Sequence, residues 1–173
     1  MQDGDIDGYR DTVKRELEDL VEDMLWTEKV HFAHAENHAR VNLWLGLGST
    51  IAASVAAATV VAKSAPTVTG IAALVAAIAS GLLTFLKPKD AEQRHLNVAR
   101  RLGALRVRAR AAVRLDLSTV FEPDPQAWRD LVKEIAVEKA KIDEDAPATS
   151  ERALRRARLK ISAGHFEHES DQR

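Results

Sequence analysis

The sequence contains no cysteine, so a disulfide framework and any thiolate metal site are excluded. It also lacks a Gly-rich phosphate loop, a nucleophile elbow and a metal-ligand cluster of secure spacing. No catalytic residue and no cofactor are therefore expected. The first 40 residues are acid-rich and hold no early apolar run, so a cleavable signal peptide is not expected either. The most informative absence is charge in the middle of the chain. Between Arg40 and Lys87 only Lys63 carries a charged side chain.

Two apolar runs flank that lysine. Val41–Ala62 has 22 residues without a charge, and Ser64–Leu86 has 23. About 20 apolar residues cross a hydrocarbon core of roughly 30 Å, so either run is long enough alone. A single helix over both would place Lys63 in lipid and would be broken by Pro66. The pattern predicts an all-α fold: an integral membrane two-helix transmembrane hairpin with cytosolic amphipathic helices before and after it. The expected segments are an acidic helix at 1–40, spans at 41–62 and 67–86, an extracytoplasmic turn at 63–66, a basic helix at 87–118, and C-terminal helices and tail at 119–173. Arg40, Trp44, Phe85, Lys87 and Lys89 are of the residue types that anchor span ends. The rival reading is a soluble helical bundle with two buried Ala-rich helices. Against it, neither run carries the polar stripe of a surface helix.

Net charge is −1 over 173 residues, but its distribution is uneven. Residues 1–40 hold five Lys/Arg against eleven Asp/Glu, and residues 87–114 hold nine Lys/Arg against Asp90 and Glu92. The positive-inside rule then places both termini in the cytoplasm, in a multi-pass inner-membrane topology. The hairpin brings the acidic and basic flanks to the same side, where they are suited to pack. Lys87, Lys89, Arg94, Arg100 and Arg101 are expected to meet anionic lipid rather than nucleic acid.

Small residues recur at helical spacing on both runs. Asn42, Gly46, Ser49, Ala53 and Ala56 share one face of the first, and Thr67, Gly70, Ala77, Gly81 and Thr84 share one face of the second. Such faces let membrane helices approach closely, either within the hairpin or toward other subunits and a pore lumen. Upstream, Val13, Leu17, Leu20 and Met24 form an apolar seam. At the same spacing it continues into His31, His34 and His38, which with His95 suggest a cytosolic polar, pH-responsive patch. HFAHAENH is not an HExxH motif, so metal ligation is not expected. Asp3-Gly-Asp5-Ile-Asp7-Gly8 imitates half of a calcium loop, but Lys14 stands where the bidentate glutamate belongs. After Pro123, Asp124 is the expected N-cap of a helix whose apolar side is Trp128, Leu131, Ile135 and Ile142. A short basic helix from Ser150 to about Ser162, stopped by Gly164, is expected next.

The order of these features resembles the SLATT domain, the two-transmembrane effectors associated with SMODS nucleotidyltransferases and SLOG sensors. The residues that carry the resemblance are Trp26, His34 or His38, the two runs, and His95 with Ala99, Leu102 and Leu105, across roughly residues 10–118. The chain departs from the family pattern at Arg101-Leu102, where a tyrosine is expected. The resemblance implies a pore-forming or membrane-perturbing effector of prokaryotic anti-phage defence. It also implies a homo-oligomer triggered by a separately encoded sensor or signal-generating protein. A passive membrane adaptor for a cytosolic partner is the alternative.

Overall fold

In the computed structural model the described residues are 3–63, 65–118, 124–151, 154–155 and 158–159. The chain is all-helical, and no strand occurs among the described residues. Helix α1 runs unbroken over Asp3–Val61, α2 over Pro66–Leu86, α3 over Pro88–Ala111 and α4 over Pro125–Glu144. Ala112–Asp116 form a π-helical turn after α3. The helical Asp3–Gly8 segment does not form the calcium-type loop that its sequence imitates. Pro123, and the expected basic helix except for Ser150, Glu151, Leu154, Arg155, Arg158 and Leu159, lie outside the described residues.

The chain divides into two compact units. One is Met1–Ala33 with Arg94–Arg173, and the other is His34–Gln93.

In the first unit, the Val13, Leu17 and Met24 seam of α1 meets Val98, Leu102, Leu105 and Ala109 of α3 and Trp128, Ile135 and Ile142 of α4. These are the i, i+3/i+4/i+7 positions of each helix, so burying one stripe per helix builds a continuous core. The start of α4 is specified locally. Asp124 accepts a hydrogen bond from the Ala127 amide at 3.0 Å, and Pro125 occupies the first turn, where no amide donor is needed. The π-turn leaves the Asp116 carbonyl out of the helical ladder, and the Trp128 indole donates to it at 3.1 Å.

In the second unit α2 follows α1 through a turn whose described residues are Ala62, Lys63 and Ala65. Lys63 and Ala65 both adopt left-handed backbone conformations, with φ of 49° and 43°. For residues with a Cβ this costs on the order of 1–2 kcal/mol each. Pro66 is the first residue of α2 rather than part of the turn, because its fixed φ suits a first helical position. Lys87 ends α2 in the same left-handed region, its amide donating to the Leu83 carbonyl at 3.1 Å.

Candidate functional site

The hairpin seam within the second unit is lined by alanine and hydroxyl side chains. Ser49 Oγ lies 2.7 Å from Ser80 Oγ and donates to the Ala76 carbonyl at 3.3 Å. Nearer the turn, Thr69 donates to Thr59 Oγ1 at 2.7 Å. Between these bonds Ala52, Ala72 and Ala79 are buried. The packed face of α2 is therefore Thr69, Ala72, Ala76 and Ala79, at 3-4-3 spacing.

The small residues singled out in the sequence divide on this geometry. Ser49 and Ala56 lie on the packed side of α1, half-buried, as are Asn42 and Gly46, whereas Ala53 is exposed. On α2, Thr67, Gly70, Ala77 and Thr84 are exposed. A Cβ placed on Gly46, Gly70 or Gly81 would meet nothing within 4 Å. The Thr67-to-Thr84 face of α2 is thus not its hairpin seam.

Both α1 and α2 are long and apolar enough to cross a membrane. Among the described residues, fifteen of the 21 exposed large apolar side chains lie between Leu43 and Leu86, among them Trp44, Ile71 and Phe85. Burying each in a globular core would contribute about 1.5–3 kcal/mol, so leaving all of them in water is costly. Three hydroxyls on the same exposed surfaces are already satisfied. Thr50, Ser54 and Thr84 donate to the carbonyls of Gly46, Thr50 and Ser80 at 2.9, 2.8 and 3.0 Å. A hydroxyl bonded to its own helix presents little unmet polarity to an apolar solvent.

A second feature lies within the first unit, where the α1 seam turns polar. One turn beyond Met24 comes Glu28, buried, then His31, also buried. Arg106 of α3 donates through Nε to Glu28 Oε2 at 2.9 Å, and Lys29 Nζ reaches Oε1 at 3.0 Å. Gly103 of α3 leaves room for this carboxylate, since a Cβ there would stand 3.5 Å from its Cδ. His31 Nδ1 and His95 Nδ1 are 2.9 Å apart with their rings tilted by 39°. Two ring contacts join the sequence-predicted histidines. His31 and His95 meet in the first unit, and His34 stacks on His38 in the second with ring centroids 6.4 Å apart. Burial first, and the His38 charge second, push the His34 pKa below the ordinary histidine value.

The basic residues are less uniformly available than their count suggested. Lys87, Lys89, Arg94 and Arg100 are exposed, but Arg101 is tied to Asp145 at 3.2 Å. Arg108 engages Glu134 and Glu138 at 2.8 and 3.5 Å. Charge pairing in this unit therefore links α3 to α4 as well as α1 to α3. The expected acidic–basic match between the flanks appears across α1 and α3 as Glu28–Arg106, while other arginines of α3 turn to α4. Acids of α1 also face α4, where Asp23 binds Lys139 at 2.6 Å. Lys139 also binds Asp143 at 2.7 Å. Burial alone would lower the Lys139 pKa, but its bonds to Asp143 and Asp23 outweigh that and raise it.

Sequence reasoning missed Glu28 and Arg106, although Glu28 falls four residues after Met24 on the same seam. An acid at a core position of an otherwise apolar stripe was the available signal. Comparison of the chain with protein-family models, with curated proteins and with solved structures finds no match.

Proposed function

We propose that the protein is an integral membrane effector whose two-span hairpin assembles with further copies to form a pore or perturb the bilayer. The observation that carries this reading is the exposed apolar surface of the hairpin, on which the outward hydroxyls of Thr50, Ser54 and Thr84 bond only to their own helix backbone among the described residues. Helix α2, at 21 residues, rises about 32 Å, close to the roughly 30 Å of a hydrocarbon core. In this reading the turn around Lys63 lies outside the cytoplasm, both termini lie inside, and Lys87, Lys89, Arg94 and Arg100 meet anionic headgroups.

The open face through Gly70, Ala77 and Gly81 supports assembly, because it leaves space for a second helix to approach. A role in prokaryotic anti-phage defence rests on the resemblance to the SLATT domain alone. Its trigger would then be a separately encoded sensor or signal-generating protein. Inducing the protein in bacteria while following entry of an impermeant dye tests the reading. Dye entry and growth arrest support it, and intact, growing cells in every triggered state sink it.

The alternative is a membrane adaptor in which the hairpin only anchors the helical unit of α1, α3 and α4. The extent of that unit's own core favours keeping this reading in view. Gly81→Leu separates the two, since an adaptor retains its activity while a pore loses or alters conductance.

A further inference from the structure

Two buried imidazoles that share one hydrogen bond form a proton-limited contact. His31 and His95 are 2% and 4% exposed, and their Nδ1 atoms stand 2.9 Å apart across α1 and α3. Such a bond needs one N–H and one lone pair. It exists when both rings are neutral, and it strengthens when one ring is cationic. It is lost when both are cationic, because two N–H groups then face each other and two positive charges share a buried layer.

Charged and titratable groups stand near the pair on all three helices. From α1, Glu28 lies one turn before His31, but its single negative charge is held by two cations, Lys29 and Arg106 of α3. His34 and His38 follow one and two turns later on α1, and Glu92 precedes His95 by one turn on α3. Asp23, Asp143 and Glu151 border the cleft of about 590 Å³ that His31 lines. Asp23 and Asp143 share the single cation of Lys139, so one negative charge of that pair is left uncompensated. The limit of one extra proton is thus set at the contact itself, where two N–H groups would face each other across 2.9 Å.

We propose that the His31–His95 contact is an acid-sensitive latch, closing α1 on α3 at neutral pH and releasing them when both rings are protonated. The sign follows from proton counts: released rings bind one more proton than latched rings, so falling pH drives opening. The inference uses only contacts within this one unit and holds whether or not the hairpin acts as a pore.

The absence of cysteine makes the test direct, since a pair of introduced thiols is labelled without background. Glu16→Cys and Val107→Cys place spin labels at exposed sites on α1 and α3 of the full chain in detergent. The latch predicts one short, narrow distance at pH 8 and a longer, broader distribution at pH 5. In the His95→Gln background, whose amide bonds without titrating, the narrow distance persists at pH 5. An unchanged distance in the wild type, or equal opening in His95→Gln, overturns the latch. Should His95→Gln fail to show the narrow distance at pH 8, His31→Gln takes its place. Nitrogen NMR of the wild-type imidazoles decides if both variants fail. Double protonation coincident with the distance change supports the latch, and opening while one ring stays neutral contradicts it.

Discussion

Ser49 and Ser80 face each other across the hairpin with their hydroxyl oxygens 2.7 Å apart, and Ser49 also reaches the Ala76 carbonyl. One serine on each helix thus sets the rotation that brings Ala52, Ala72 and Ala79 into the seam. Hydrogen bonds between membrane helices are typically worth about 0.6 kcal/mol and up to about 2. A double-mutant cycle with Ser49→Ala and Ser80→Ala, read by unfolding in detergent, is predicted to return a coupling in that range. A coupling near zero would mean that the contact does not hold the helices together.

The seam also predicts a contrast between two neighbouring sites on α2. Ala79 is buried against α1, so Ala79→Leu overpacks the seam and costs about 1–3 kcal/mol. A Cβ at Gly81 meets nothing within 4 Å, so Gly81→Leu leaves hairpin stability nearly unchanged. Loss of dye entry in Gly81→Leu with an unaltered melt would therefore report contact between copies rather than misfolding. Equal destabilisation by both changes would contradict the assignment of faces.

The Glu28–Arg106 pair predicts an asymmetric response. Arg106→Met leaves a buried carboxylate with only Lys29 beside it and is expected to cost about 3–5 kcal/mol. Glu28→Gln with Arg106→Met together is expected to recover much of that loss. Gly103→Ala should be neutral or stabilising by up to about 1 kcal/mol. Its Cβ would sit at ordinary contact distance, and alanine suits a helix interior better. Chemical unfolding of the three variants provides the check.

His34 carries a further pH dependence. Its pKa is lowered in the fold by burial and then by His38, so the native state holds fewer protons there than the unfolded chain. The contribution is present above the unfolded histidine value of about 6.5 and is lost as pH falls through the lower native value. His34→Gln should flatten the stability profile between about pH 7 and pH 5, as read by melting temperature. A profile equally steep in the variant would remove His34 from the account.

Much of this fold was legible in the sequence, for identifiable reasons. Charge-free runs around a lone Lys63 and Pro66 announced the turn, and Asp124-Pro125 announced the start of α4. Val13, Leu17 and Met24, and Leu102 and Leu105, stood out because each helix there has a polar face to contrast with its apolar stripe. Helix α2 has no such contrast. With apolar residues all round, nothing fixes its rotation, and the glycine-bearing face was as plausible a seam as the alanine face that packs. Counts of charge foretold attraction between the flanks but not partners. Arg101 pairs with Asp145 just past the end of α4 and Arg108 with Glu134 on it, acids that stood outside that comparison.

The most direct measurement of the central claim is the partition of the full chain between membrane and aqueous fractions after cell lysis. The account predicts that it stays with the membrane pellet through alkaline carbonate and leaves only with detergent. It further predicts that an impermeant amine reagent reaches Lys63 from the outside alone. Recovery in the soluble phase without detergent, or labelling of Lys63 only from the cytosolic side, would contradict it.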